Sequence, residues 1–121
     1  MKISIVTTCL NSEKSIAFTL SSVLEQTHKN IEHIIIDGGS TDGTLDVLHQ
    51  HKREKKIFLR NRTSIYQALN IGIKKSKGQY ILILNSDDIL DNKNVIKNAV
   101  KIIKKNNKKI ILGDVSYFDN F

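Results

Sequence analysis

Short apolar runs alternate with segments of helical period along this chain, and that alternation restricts its fold more than any other feature. Ile3 to Thr8, Ile31 to Asp37, Lys56 to Leu59, Gln79 to Leu84 and Lys109 to Gly113 read as strands. Ile34-Ile35-Ile36 and Tyr80-Ile81-Leu82-Ile83-Leu84 carry no charge, so both are expected to be buried on two faces. Ile16, Leu20, Val23 and Leu24 fall at i, i+4, i+7 and i+8, one stripe of a helix introduced by Asn11-Ser12. Leu45 and Leu48 mark a shorter helix capped by Ser40-Thr41. Ile65, Ala68, Leu69, Gly72 and Ile73 mark a third, with Gly78 as its C′ residue. Val95, Ile96, Ala99, Val100 and Ile103 mark a fourth, introduced by Asp91-Asn92. Apolar strands joined by helices of about 10–15 residues are βαβ units. The expected fold is α/β: a doubly wound, mainly parallel sheet with helices on both faces.

At 121 residues the chain has room for one domain with a small core, and no proline or low-complexity stretch marks a boundary. No apolar run approaches the ~20 residues that span a bilayer. Cys9 is the only cysteine, which excludes an internal disulfide framework and a cysteine-based metal site. Met1 leads straight into a strand pattern without signal-peptide architecture, so a cytoplasmic setting is expected.

Lys+Arg 19 against Asp+Glu 12 gives a formal net charge of +7, which favours anionic partners. The cations concentrate in Lys52 to Arg62 and Lys97 to Lys109, whereas Asp37, Asp42, Asp87, Asp88 and Asp91 lie elsewhere. A basic exterior around an acidic site suits a metal-and-phosphate enzyme better than a duplex-binding surface. Solvated lysine-rich helix faces account for part of the excess. Aromatic residues at 6% and the lack of a recognised motif argue against nucleic acid as a partner.

In open parallel sheets, ligands bind beyond the carboxyl ends of the strands, near a topological switch point. Thr7-Thr8-Cys9-Leu10-Asn11, Asp37-Gly38-Gly39 and Asn85-Ser86-Asp87-Asp88 are three such ends, so three polar clusters are expected on one edge. Asp37 offers an acceptor for an N–H or a ribose hydroxyl, and Gly38 and Gly39 let a ligand approach the backbone. Gly38 to Gly43 has the spacing of a phosphate loop, but Thr44-Leu45 replace the Lys-Ser/Thr that such a loop requires. The segment is therefore either a ligand turn or a plain strand-to-helix turn. Asp87-Asp88 is equally either an acidic helix-starting turn or a site for Mg2+ or Mn2+ bridging substrate phosphates.

Other candidates are weaker. His28, His33, His49 and His51 share no ligand spacing beyond His49-x-His51, which lies in a charged segment expected to be exposed. Cys9 reads as a small buried residue rather than a nucleophile. Arg60 and Arg62 read either as diphosphate contacts or as a solvated loop.

Taken in order, these motifs resemble family 2 glycosyltransferases of the GT-A fold. The resemblance is carried by Ile3-Ser4-Ile5-Val6-Thr7-Thr8, Asn11-Ser12 and Ser22-Val23-Leu24-Glu25-Gln26-Thr27. It continues through Ile34-Ile35-Ile36-Asp37-Gly38-Gly39-Ser40-Thr41-Asp42-Gly43-Thr44, Ala68-Leu69-Asn70-Ile71-Gly72, Gly78 to Asp88, and Gly113-Asp114. It implies a nucleotide-diphosphate sugar donor, most often a UDP-sugar, and a saccharide or lipid-linked acceptor. The implied binding residues are Thr8 and Leu10 beside the base, Asp37 and Gly38 at the uracil, and Asn85 and Asp87 near the ribose and phosphates. Asp87 and Asp88 would hold Mn2+ or Mg2+, since Asn85-x-Asp87-Asp88 stands where the family has its D-x-D motif. The Asp-Gly-Gly turn is similar to that of inverting enzymes that build bacterial O-antigen, capsule or exopolysaccharide at the cell surface.

The chain departs from the family at three places. Leu10 stands where many members stack an aromatic ring on the base. Arg62-Thr63-Ser64 and Gln67 replace an acidic, glycine-containing segment and an aspartate. Members also run about a hundred residues further, so the domain is expected to be incomplete at its C-terminus. The acceptor site and catalytic base would lie there, which leaves the catalytic residues unknown. The alternative is a non-catalytic remnant that binds nucleotide-sugar or partners a complete glycosyltransferase. Apolar positions left uncovered imply self-association, and the basic helices imply peripheral contact with an anionic membrane at its inner face.

Overall fold

The computed structural model describes residues 1–117. In chain order it contains β1 (Ile3–Cys9), α1 (Ile16–Leu24), β2 (Ile31–Asp37), α2 (Thr44–Gln50), β3 (Lys56–Leu59), α3 (Ile65–Lys75), β4 (Tyr80–Ile83) and α4 (Val95–Asn106). All strand pairs are parallel, in the order β3-β2-β1-β4. The expected α/β architecture is present. The chain winds outward from β1 to β3 and then returns to place β4 on the other side of β1. The switch point therefore falls between β1 and β4.

Side chains alternate across the sheet, and each face has its own cover. Cys9 and Ile35 pack with Ile16 and Leu20 of α1 and Leu48 of α2. Ile3 and Ile5 pack with Val23, Leu84, and Ile96 and Val100 of α4. Ile34 and Ile36 turn to the opposite face and meet Ala68 of α3. Ile16, Leu20, Ile35 and Leu48 are fully buried, each contributing about 2 kcal/mol by removal from water. The buried residues of α3 are small, Ala68 and Gly72, and a Cβ on Gly72 would run into Val6 Cγ1. Small residues let this helix lie close on β1 and β2.

Several expectations fail, each for a local reason. Tyr80 to Leu84 is not buried on both faces: Ile81 and Ile83 are each 41% exposed. Tyr80 and Leu82 pack toward α4, but β4 is an edge strand and α3 rests on β1 and β2. Lys109 to Gly113 forms no strand; it lines a groove beside β4 and α4, with Ile110 and Leu112 outward. With Ile110 and Leu112 largely exposed and Ile111 only partly buried, this stretch has no fully buried face to set a register.

Gly78 is not a C′ residue, because α3 ends at Lys75 with Ser76 as its C-cap, which makes Lys77 the C′ residue. A Cβ at position 78 would sit 2.5 Å from Ser4 N, so close approach to β1 requires the glycine. Gly78 N–H donates to Ser4 Oγ, and Ser4 Oγ–H donates to Glu32 Oε1 on the next strand.

The helix starts also differ. The N-caps are Ser15 for α1, Gly43 for α2 and Asn94 for α4, none with a side-chain cap bond. Asn11-Ser12 and Ser40-Thr41 serve the site loops instead. Leu24, expected on the α1 stripe, is 40% exposed. Only α3 has a capping box: Gln67 N–H donates to Ser64 Oγ, and Ser64 N–H donates to Gln67 Oε1. That explains Gln67 as a helix-starting residue. His51 is half-buried rather than exposed, with Nε2 bonded to Ser21 Oγ at 3.0 Å.

Candidate functional site

The exits of β1, β2 and β4 meet at the carboxyl edge, as parallel pairing requires. Asp37 closes the β2 exit. Its side chain is buried, with Oδ1 accepting from the N–H groups of Gly39 and Ser40, both at 2.9 Å. Its Oδ2 accepts from Ser40 Oγ–H at 2.5 Å and Cys9 Sγ–H at 3.5 Å. Gly39 turns at φ +105, which suits a residue without a Cβ. All four acceptor directions of this carboxylate are spent on its own loop and on β1. Burial, and then the Asp37 charge, push the Cys9 thiol well above its ordinary range. Cys9 is a neutral core residue, not a nucleophile.

Asn11 ties the β1 exit to the same loop. Its Oδ1 accepts from Thr41 N–H at 2.8 Å and Asp42 N–H at 3.3 Å, while its own N–H donates to Ser40 Oγ. Those bonds require Asn11 to adopt φ +51, a conformation asparagine tolerates. Ser12 N–H donates to Thr44 Oγ1, and Asp42 Oδ1 accepts from the N–H and hydroxyl of Thr44.

The β4 exit is held from behind. Ser15 Oγ–H donates to Ser86 O at 2.9 Å, and Thr19 Oγ1 lies 3.1 Å from Ser86 O and 2.7 Å from Asp88 O. Ser12 and Ser86 hydroxyls pair at 2.9 Å. Ser15 and Thr19 stand four residues apart, so one face of α1 presents both hydroxyls. Sequence reading missed this brace, although the i, i+4 spacing of hydroxyls was available as a signal. Asn85 Nδ2–H donates to Asp88 Oδ2 at 3.1 Å, and Asp88 N–H donates to Asn85 O. Asp87 and Asp88 are exposed, and Asp87 makes no hydrogen bond or ion pair among the described residues.

Between these loops lies a cleft of about 320 Å³, lined by Thr8, Leu10, Ser12, Gly38, Thr63 and Ser86 among others. Thr8, Leu10 and Gly38 thus come together as expected. Asp37, Asn85, Asp87 and Asp88 are not among the lining residues, although the last three share the loop of Ser86. Thr63 and the α3 residues Ile65 and Ala68 also line it and were not expected. Arg60 and Arg62 are exposed, and Arg60 Nη1–H donates to Leu59 O.

No group of three or more His, Cys, Asp or Glu side chains is arranged for an ion among the described residues. Two exposed carboxylates still match a hard cation that takes its remaining ligands from phosphate and water. His28 and His51 are engaged in hydrogen bonds, and His33 is buried on Thr7.

Comparison with known proteins agrees with this geometry. The model of the Glycosyl transferase family 2 matches residues 4–120. Glycosyltransferase GlyG of Streptococcus pneumoniae is 31% identical over 121 residues, covering 97% of this chain and 40% of its own. UDP-Glc:alpha-D-GlcNAc-diphosphoundecaprenol beta-1,3-glucosyltransferase WfaP of Escherichia coli is 40% identical over 88 residues, 71% of this chain and 35% of its own. Among solved structures, S. aureus TarS 1-349 superposes with a TM-score of 0.81 at 29% identity, covering 88% of this chain and 33% of that one. Its complex with UDP-GlcNAc superposes at 0.77 and 27% identity. The chain therefore spans less than half the length of each of these proteins.

Proposed function

Since the chain belongs to glycosyl transferase family 2, we propose that its carboxyl-edge cleft binds the nucleotide-diphosphate sugar of an inverting glycosyl transfer. The donor is a UDP-sugar, and the acceptor is a polysaccharide or a lipid-linked saccharide. One observation carries this reading. The β1, β2 and β4 exits meet at the switch point, where Asp87 and Asp88 face solvent on a loop braced by Ser15 and Thr19. The names and ligands of WfaP and of TarS support the choice of a UDP-sugar.

In this reading Thr8 and Leu10 lie against the base, with leucine giving apolar contact in place of a stacked ring. Gly38 leaves room for the nucleotide, and Asn85 braces Asp88. Asp37 shapes the turn; a uracil N–H reaches its Oδ2 only by replacing the Ser40 hydroxyl or the Cys9 thiol. Asp87 and Asp88 are the residues that would hold Mn2+ or Mg2+, which when bound neutralises charge on a leaving diphosphate. The cleft lining contains no carboxylate or imidazole. Its residues are accordingly assigned to donor binding, and none to deprotonating the acceptor.

No helix among the described residues is long and apolar enough to cross a membrane. The proposed setting is the cytoplasmic side of a membrane, with Lys97 to Lys109 near anionic lipid. Ile81 and Ile83, both exposed, offer an apolar face for self-association.

Calorimetry of the 121-residue chain with UDP and Mn2+ tests the reading. Metal-dependent binding is expected; no binding to UDP or GDP, with or without metal, would sink it. Release of sugar from a UDP-sugar by this chain alone would further rule out a purely non-catalytic binding module.

A further inference from the structure

At the opposite edge of the sheet, where the strands begin, lies a second pocket of about 310 Å³ with different chemistry. Lys2, Lys29, Arg53, Lys55 and Lys56 line it, against Glu32 and Glu54. Glu32 is spent. Its Oε1 accepts from Ser4 Oγ–H at 2.6 Å and Lys77 N–H at 2.5 Å, and its Oε2 lies 3.2 Å from Lys56 Nζ and 3.8 Å from Lys2 Nζ. Burial pushes its pKa up, but Ser4, the Lys77 N–H and Lys56 outweigh that and hold it at about 2. Its charge is therefore cancelled locally.

Arg53 and Lys55 have no carboxylate in salt-bridge contact, although the charge of Glu54, in the same lining, acts on Arg53. Neither forms an ion pair among the described residues. Their charged ends are held instead by backbone carbonyls: Arg53 Nη2–H donates to Ile31 O, and Lys55 Nζ–H donates to His51 O and Arg53 O. Both side chains are only partly exposed. Two neighbouring, partly buried cations repel each other and lose part of their hydration, and an oxyanion between them would offset both costs.

Two further polar atoms of this lining lack a partner among the described residues. Arg53 Nε and His33 Nδ1 are buried without a hydrogen-bond partner, and both residues line this pocket. His33 is 1% exposed. Its Nε2 lies 2.9 Å from Thr7 Oγ1, so with the threonine hydroxyl donating, Nδ1 carries an N–H. Burial first, then Arg53 and Lys55, hold the ring neutral with a pKa lowered to about 3.

We propose that this amino-edge pocket binds a phosphate-type oxyanion between Arg53 and Lys55, with His33 lining the site in the tautomer whose Nδ1 carries the proton. The site lies across the sheet from the donor cleft and does not depend on the function assigned to that cleft. The shared chemistry is a phosphate group, carried by a free anion or by a lipid headgroup.

Inorganic phosphate is the first probe, titrated into the 121-residue chain against sodium chloride of equal ionic strength. At ten times Kd the melting temperature should rise by about 5 °C, and the His33 Nδ1 resonance should shift with the same midpoint. Arg53→Met and Lys55→Met should each remove the melting shift. Should Arg53→Met fold poorly, Lys55→Met and the wild-type nitrogen resonance decide. Co-sedimentation with phosphatidylglycerol vesicles, lost in Lys55→Met, would place the phosphate on a headgroup. A phosphate response without vesicle binding would place it on a free anion. A melting temperature and a His33 resonance that do not respond to phosphate, together with no vesicle binding, overturn the proposal. So does a response that both variants retain in full.

Discussion

Two acidic turns stand at the same edge of the sheet and have opposite fates. Asp37, at the exit of β2, is 1% exposed and accepts four hydrogen bonds from its surroundings. Asp87 and Asp88, at the exit of β4, are exposed, with only the Asn85 amide on Asp88. A carboxylate at a strand exit is thus not in itself a ligand site. What separates the two is where donors come from. The Asp37 turn supplies its own from Gly39 and Ser40, whereas the Asp87-Asp88 loop is fixed through its carbonyls and leaves its carboxylates to solvent.

Substitution at Asp37 should have the largest effect on stability. Asp37→Ala strands two part-buried N–H groups and a hydroxyl, so stability in urea should fall by about 2 kcal/mol. An unchanged unfolding midpoint would erase the contrast between the turns.

Asp88→Ala should do the reverse. Affinity for UDP in Mn2+ should weaken on the order of 10–100-fold, with stability within about 0.5 kcal/mol of wild type. Thr19→Val should cost about 1 kcal/mol and speed amide exchange over residues 86–88, with Thr19→Ser restoring both. Equal exchange in Thr19→Val and wild type would mean that the loop is held by something other than the hydroxyl brace.

A separate effect is a pH slope from a residue away from both turns. His33 is neutral in the fold, with a pKa lowered to about 3 by burial and then by Arg53 and Lys55. Its unfolded pKa is about 6.5, so unfolding takes up a proton at lower pH. Its stabilising contribution is complete above that value and is lost as pH falls toward 3. Urea midpoints between pH 7 and 5 should decline, and His33→Gln should flatten the decline. A slope unaltered by that substitution would assign the acid sensitivity elsewhere.

Periodicity was enough to locate β1, β2, α3 and α4, because burial on one stripe or on both faces leaves a direct mark in residue order, and β3 was legible as a short run after a charged loop. Periodicity could not tell how many faces of β4 are covered. Ile34-Ile35-Ile36 and Tyr80 to Leu84 look alike as sequence, yet the first lies between two helical layers and the second at an edge. The last apolar run failed for a related reason, since apolar residues do not make a strand without a surface to pair with. At the site, the three strand exits were legible from topology and Gly38 from glycine placement, whereas Thr8 and Leu10 came from the family resemblance. The roles of Ser12, Ser15, Thr19 and Ser86 were not. Serine and threonine suit caps, turns and solvent equally, and only the fold brings residues 12 to 19 against 86 to 88.

The most direct test of the open turn uses the metal itself. Mn2+ broadens nearby amide resonances, so a titration of the isotopically labelled chain with Mn2+ in the presence of UDP locates the ion. Broadening should centre on Asp87 and Asp88 and spread to Thr8 and Gly38, while Lys2 and Arg53 at the far edge stay sharp. Uniform broadening, or a centre anywhere other than the β4 exit, would contradict the assignment of this edge to nucleotide-sugar binding.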